Sequence, residues 1–188
     1  MSKGDDVSSL NKFQRFFYNY GIYHYDSVNV AIHIICIPIL TITLIRMLDY
    51  YSLFYLNSQL PYGLIFGVFV GLLYIYVDLF SGILTISMYL ILESLYLKDQ
   101  TPILGYAQID FIIYLHIACW ILQFIGHGVF EGRKPALMDN ILLTLNAPIF
   151  VTLEILGLFN YRHKELIQTR ECIKKEVERY RNSRKIKN

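Results

Sequence analysis

The sequence predicts an all-α protein: a multi-pass transmembrane helical bundle of about four to five apolar helices, followed by a basic C-terminal amphipathic helix. Three observations carry this expectation. Hydrophobic residues make up 55% of the chain and charged residues only 17%, where an ordinary globular domain holds about 25% charged. The apolar residues gather into long runs instead of alternating with polar ones. The charge is displaced to one end, since Tyr161 to Asn188 holds ten Lys or Arg against four Asp or Glu, net +6 in a chain that is +2 overall.

The N-terminal stretch MSKGDDVSSLNKFQRFFYNY is polar and acidic at its start, with no apolar core before about Val28, so a cleaved secretory signal is not expected. Asp26 and Ser27 are good N-cap residues for a helix beginning near Val28. About 20 apolar residues cross the hydrocarbon layer as a helix. Five segments meet or approach that length: Asn29 to Leu48, Tyr62 to Phe80, Gly82 to Leu97, Ile109 to Gly126 and Ile141 to Phe159. The second and third meet at Ser81 and Gly82, which reads as a tight helical hairpin. Pro102 and Gly105 mark a turn in the loop Lys98 to Tyr106. From Arg162 onward, Leu166, Ile173, Val177 and Tyr180 recur at helical spacing in a charged background, as in a helix lying on a membrane. The division is then a membrane-embedded domain over residues 1–160 and a basic cytoplasmic tail over 161–188.

Three positive residues before Gly21 and the basic tail both favour the cytoplasm, which requires an even number of crossings. Five is odd. The first segment, with His33, Pro38 and Arg46, is the first candidate for a re-entrant or interfacial helix. The last, with Asn146, Pro148 and Glu154, is the second. The tail suits anionic lipid headgroups better than nucleic acid. Three scattered cysteines, Cys36, Cys119 and Cys172, without a CxxC pair, argue against a disulfide framework or zinc ribbon.

Ionisable residues inside a membrane helix are costly and are functional candidates by default. His24, His33, His116 and His127 lie in or beside apolar segments, whereas His163 opens the tail. His24 would precede the first apolar helix and His33 would lie about one and a half turns inside it, so both can approach one point. His116 and His127 are 11 residues apart, on one face with Trp120 and Gln123 but about 16 Å apart along a regular helix. Gly126 and Gly128 flank His127 and permit the backbone to leave that helix. Neutral imidazoles suit iron, copper, nickel or zinc, and a multi-histidine site with an open position suits oxygen chemistry at iron(II). Single histidines also simply bridge helices by hydrogen bonds, and spacing leaves both readings open.

The polar segment Gln123 to Asn140 carries Glu131, Arg133, Lys134 and Asp139, suited to binding a carboxylate headgroup or tuning a metal site, or to an ordinary orienting loop. Glu154 lies about four turns from Asn140 on the same face and is the best of the buried carboxylates for supporting a ligand. HExxH, GxSxG, a glycine-rich phosphate loop and clustered HxxHH boxes are all absent.

Two blocks carry a resemblance: YHYDSVNVAIHIICIPIL, Tyr23 to Leu40, and WILQFIGHGVFEGRKPALMDNILLTLNAPIFVTLEIL, Trp120 to Leu156. They resemble the signature blocks of the endoplasmic-reticulum 2-hydroxy fatty acid dioxygenases, whose fungal member acts in phytosphingosine breakdown. The resemblance implies an iron(II)-dependent enzyme of the endoplasmic reticulum membrane. It would take a long-chain 2-hydroxy fatty acid and O2 to a fatty acid one carbon shorter. By motif match it implies His24, His33 and His127 as iron(II) ligands, with His116 lying just outside the block. Arg133, Lys134 and Gln123 would then meet substrate, and Glu131, Asp139 and Glu154 would support the site. Where the family often has a second histidine or a proline after the first, this chain has Tyr25, Asp26 and Ser27. The competing class is a non-catalytic membrane scaffold or lipid-handling protein, which metal content would distinguish.

Overall fold

The computed structural model describes residues 7–56, 62–98, 108–139 and 141–187, and among these every regular element is helical. In chain order they are α1 (Lys12–Gly21), α2 (Ser27–Tyr50), α3 (Tyr62–Val77), α4 (Leu79–Lys98), α5 (Gln108–Ile125), α6 (Ala147–Leu158) and α7 (His163–Lys187). Short π-helical turns extend α2 over Tyr51–Tyr55 and α5 over Gly126–Glu131. The expected turn at Pro102 and Gly105 lies outside the described residues.

Two helices, Ser27–Leu53 and Gln108–Glu131, are long and apolar enough to cross a membrane. A third possibility is the pair Leu143–Leu158 and His163–Arg184, bent by 118° at the break between them. The described residues therefore support two crossings, or three with that pair, where the sequence led us to expect four to five. The first apolar segment, the first candidate for a re-entrant or interfacial helix, is an unbroken helix of 24 residues with Pro38 inside it. Its polar residues His33 and Arg46 are buried within the protein. The expected hairpin breaks earlier than Ser81 and Gly82. Asp78 stands alone between α3 and α4, and its carboxylate accepts the Ser81 backbone N–H at 3.0 Å, capping α4. A buried Asp serving as N-cap ends the preceding helix at Val77, three residues short of Phe80.

The chain forms two compact units, 1–32 with 125–188, and 33–124. In the first, α6 is the centre. All its residues from Ala147 to Glu154 are buried, as suits a short helix that is apolar on every side. Helix α1 opens with a capping box, Asn11 and Gln14 each accepting the other's backbone N–H, and buries Phe13, Phe17 and Tyr20. Helix α7 buries Leu166, Thr169, Cys172, Ile173 and Val177 and leaves most of its charges outside. Gln14 donates to Gln168 Oε1 at 3.0 Å, and Arg170 pairs with Glu154 at 2.6 Å. A Cβ on Gly21 would lie 2.5 Å from Ile173 Cδ1, so glycine there lets α1 and α7 meet closely.

In the second unit α3 packs lengthwise on α4. The buried Asp49 carboxylate accepts the Gly63 N–H at 2.6 Å and so caps α3 from α2. A Cβ at Gly63 would lie 2.1 Å from the Ile45 carbonyl oxygen. Many residues of α3 and α4 expose large apolar side chains, Leu72, Tyr76, Leu79 and Phe80 among them. Such a surface belongs in lipid or against another apolar surface.

Candidate metal centre

His24 comes from the turn between α1 and α2. Its backbone N–H donates to Gly21 O at 3.0 Å, and its ring stacks on Tyr20 with centroids 4.1 Å apart and planes nearly parallel. Nδ1 lies 2.9 Å from the Tyr20 carbonyl oxygen. A carbonyl only accepts, so Nδ1 carries the proton and Nε2 is the basic nitrogen of the neutral ring. A backbone carbonyl that fixes the tautomer in this way is the usual companion of a metal-ligating histidine. Burial of the Tyr20 phenol pushes its pKa upward, keeping it neutral beside the imidazole.

Asp26 is the N-cap of α2, its carboxylate accepting the Val28 N–H at 2.9 Å and the Asn29 N–H at 3.3 Å. That cap fixes the start of the helix. Asn29 then sits in its first turn and His33 one turn further, the boundary between the units falling just before His33 inside the unbroken helix. The position of His33 thus follows from the same first turns of α2.

His127 lies in the π-helical turn that ends α5. A one-turn π-helix frequently occurs where a functional side chain must be re-aimed. Two features make the turn here. Gly126 lets Asn29 approach so closely that a Cβ would stand 2.5 Å from Asn29 Oδ1, and Gly132 ends the turn with φ +64°.

His24, His33 and His127, all buried, each offer a nitrogen, and the three atoms lie within 4.8 Å of one another. The rings of His24 and His127 meet edge to face with centroids 4.8 Å apart. Three imidazoles from three separate segments, without a carboxylate among them, form a donor set suited to a borderline transition metal. The residues present therefore fit such an ion.

His116 is not in this group. Trp120 Nε1–H donates to its Nε2 at 3.0 Å, so its Nδ1 carries the proton and donates to Thr43 Oγ1 at 2.7 Å. Thr43 passes its own proton to Ile39 O at 2.8 Å. Both nitrogens of His116 are committed to a chain of hydrogen bonds that ties α5 to α2 within the second unit. We expect His116→Ala to leave metal content unchanged and to destabilise the protein by about 1 kcal/mol, the cost of losing its hydrogen bonds to half-buried Trp120 and to Thr43. Thermal melting and metal analysis check both, and loss of the metal would return His116 to the ligand set.

The other candidate residues are placed as follows. The Arg133 guanidinium lies 4.0 Å from the Tyr23 ring centroid and 4.5 Å from that of Tyr180, and donates to Ile22 O at 2.9 Å. Lys134 pairs with Asp139, whose carboxylate also accepts the Tyr23 hydroxyl at 2.9 Å. The Lys134 ammonium and then the Tyr23 hydroxyl hold the Asp139 carboxyl below its ordinary pKa, and Asp139 raises that of Lys134. Both cations thus have partners within the protein. Gln123, one turn before His127, is buried, and its Nε2 has no hydrogen-bond partner among the described residues. Glu154 is committed to Arg170. Glu131 is buried and accepts hydrogen bonds from the Tyr25 and Asp26 backbones and from Asn29. Sequence reasoning missed Asn29 and Tyr20. An amide one turn before a histidine in an otherwise apolar helix is the signal that marks Asn29.

The chain matches the 2-hydroxy-palmitic acid dioxygenase Mpo1-like family over residues 10–158. It is 36% identical over 141 residues to the 2-hydroxy-palmitic acid dioxygenase MPO1 of Saccharomyces cerevisiae, covering 73% of this chain and 75% of that protein. No solved structure matches it.

Proposed function

Because the chain belongs to the 2-hydroxy-palmitic acid dioxygenase Mpo1-like family, we propose that it is an iron(II)-dependent dioxygenase of the endoplasmic reticulum membrane that shortens long-chain 2-hydroxy fatty acids by one carbon. The observation that supports this most is the convergence of His24, His33 and His127 in a buried cluster. These three would hold iron(II) through neutral imidazole nitrogens. Iron(II) held by these residues would supply the oxygen chemistry that oxidation of a 2-hydroxy acid requires.

The overall change, RCH(OH)COOH + O2 → RCOOH + CO2 + H2O, balances in atoms and electrons without an external reductant. The bond between the carboxyl carbon and the hydroxylated carbon breaks, and O2 is fully reduced. The protein's own residues bind and orient. The His24 ring is held in its ligand tautomer by the Tyr20 carbonyl. Gln123 presents a buried amide donor to the substrate carboxylate or hydroxyl, which supports a role in binding because such a donor is costly without an acceptor. Arg133 and Lys134, each engaged already, contribute positive potential that favours a carboxylate nearby. The acyl chain lies along apolar helices in the bilayer.

The test is purified chain in detergent with added iron(II), O2 and 2-hydroxypalmitate. Pentadecanoate and CO2 should form in equal amounts and cease on chelation of the metal. Retention of the substrate unchanged, with iron bound, overturns the reaction assignment.

A further inference from the structure

The three histidines reach one place from a turn, a helix and a π-helical turn, and something must hold those segments in register before any metal arrives. One oxygen does so. Glu131 Oε2 accepts the Tyr25 N–H at 2.9 Å, the Asp26 N–H at 2.9 Å and Asn29 Nδ2–H at 3.2 Å. Tyr25 is the residue after His24, Asp26 is the cap that starts the His33 helix, and Asn29 is one turn before His33. Glu131 itself closes the π-helical turn that carries His127. A single carboxylate oxygen, carried by the turn that holds His127, therefore bonds to the chain next to His24 and one turn before His33.

We propose that Glu131 is the positioning residue of the histidine cluster: its buried carboxylate joins the His24 turn, the start of the His33 helix and the His127 turn, and sets their spacing. This rests on the reading of the cluster as a metal site. The charge matters as well as the shape. Three N–H groups aimed at one oxygen match a carboxylate, since hydrogen bonds to an ionised acceptor are roughly twice as strong as neutral ones. The remaining oxygen, Oε1, lies 3.9 Å from Arg181 of α7, and Arg184 donates to Gly132 O at 2.6 Å. The basic end of α7 thus neutralises the carboxylate and holds the turn behind it. Its carboxylate is bonded to the segments that carry the histidines, so its effect is exerted through the ligands.

The experiment titrates the full chain in detergent with cobalt(II), a spectroscopic stand-in for iron(II), and follows amide exchange at Tyr25 and Asp26 in the metal-free protein. Glu131→Ala should weaken cobalt binding about 10- to 100-fold, the range found when a group that orients a metal ligand is removed, and speed exchange at both amides. Glu131→Gln, which can still place one oxygen toward the three donors, should recover part of the affinity. Gln14→Ala removes a buried α1–α7 contact in the same unit and controls for general destabilisation. It should leave both readouts near wild type. Wild-type affinity in Glu131→Ala, or an equal loss in Gln14→Ala, overturns the positioning role alone. Wild-type protein that takes up no cobalt overturns the metal site itself and this proposal with it.

Discussion

His127→Ala should abolish iron binding and lower the rate of 2-hydroxy fatty acid shortening by more than about 100-fold, beyond the 10- to 100-fold typical for losing only a group that supports a ligand. The geometry is the reason. His127 is one of three grouped donors among the described residues, is buried, and meets His24 edge to face. No carboxylate stands in the group to take its place. His24→Ala and His33→Ala should match it, and a double variant should be little worse than either single one, because residues that act as a unit are not additive. His163→Ala, at the exposed start of α7, should retain iron and activity. Iron content measured beside turnover decides the matter. A His127→Ala protein that keeps full activity removes the cluster from the chemistry, and one that keeps iron but loses activity makes His127 a substrate-facing residue and not a ligand.

How much of this could be read beforehand varies residue by residue. The helical class was legible because long apolar runs admit few alternatives. The approach of His24 and His33 was legible because Asp26 marks the start of a helix and the rest is helical arithmetic. The departure of the chain from α-helix at His127 was legible from its flanking glycines. Other features needed tertiary partners that no local pattern encodes. His116 shares a nominal stripe with His127, yet Trp120 and Thr43 occupy both its nitrogens. Arg133 looked available for a substrate carboxylate, but its guanidinium lies against the rings of both Tyr23 and Tyr180, the latter from far along the chain. The length of α3 was not legible either, because Asp78 ends that helix before a full crossing length is reached. Glu131 read as one charge in a polar loop, and only burial beside the N–H groups of Tyr25, Asp26 and Asn29 gives it a specific task.

The two glycines beside His127 provide the sharpest test of that local architecture, since they are alike in sequence and unlike in structure. A Cβ added at Gly126 would lie 2.5 Å from Asn29 Oδ1 and 3.3 Å from Ile32 Cδ1, whereas one at Gly128 would meet nothing within 4 Å. Asn29 has no room to yield. It is fully buried, and its amide nitrogen is held by Glu131 at 3.2 Å. Gly126→Ala must therefore push the π-helical turn away from α2, and overpacking of this kind costs about 1–3 kcal/mol, which shifts a melting temperature by about 2–4 °C per kcal/mol in a protein of this size. Because the displaced turn carries His127, iron affinity should fall along with stability. Gly128→Ala should do neither. Melting curves and iron binding of the two variants, recorded side by side, distinguish the accounts. If the two substitutions are equally harmful, the close approach of Asn29 is not what requires glycine beside the ligand, and backbone freedom throughout the turn must be the cause.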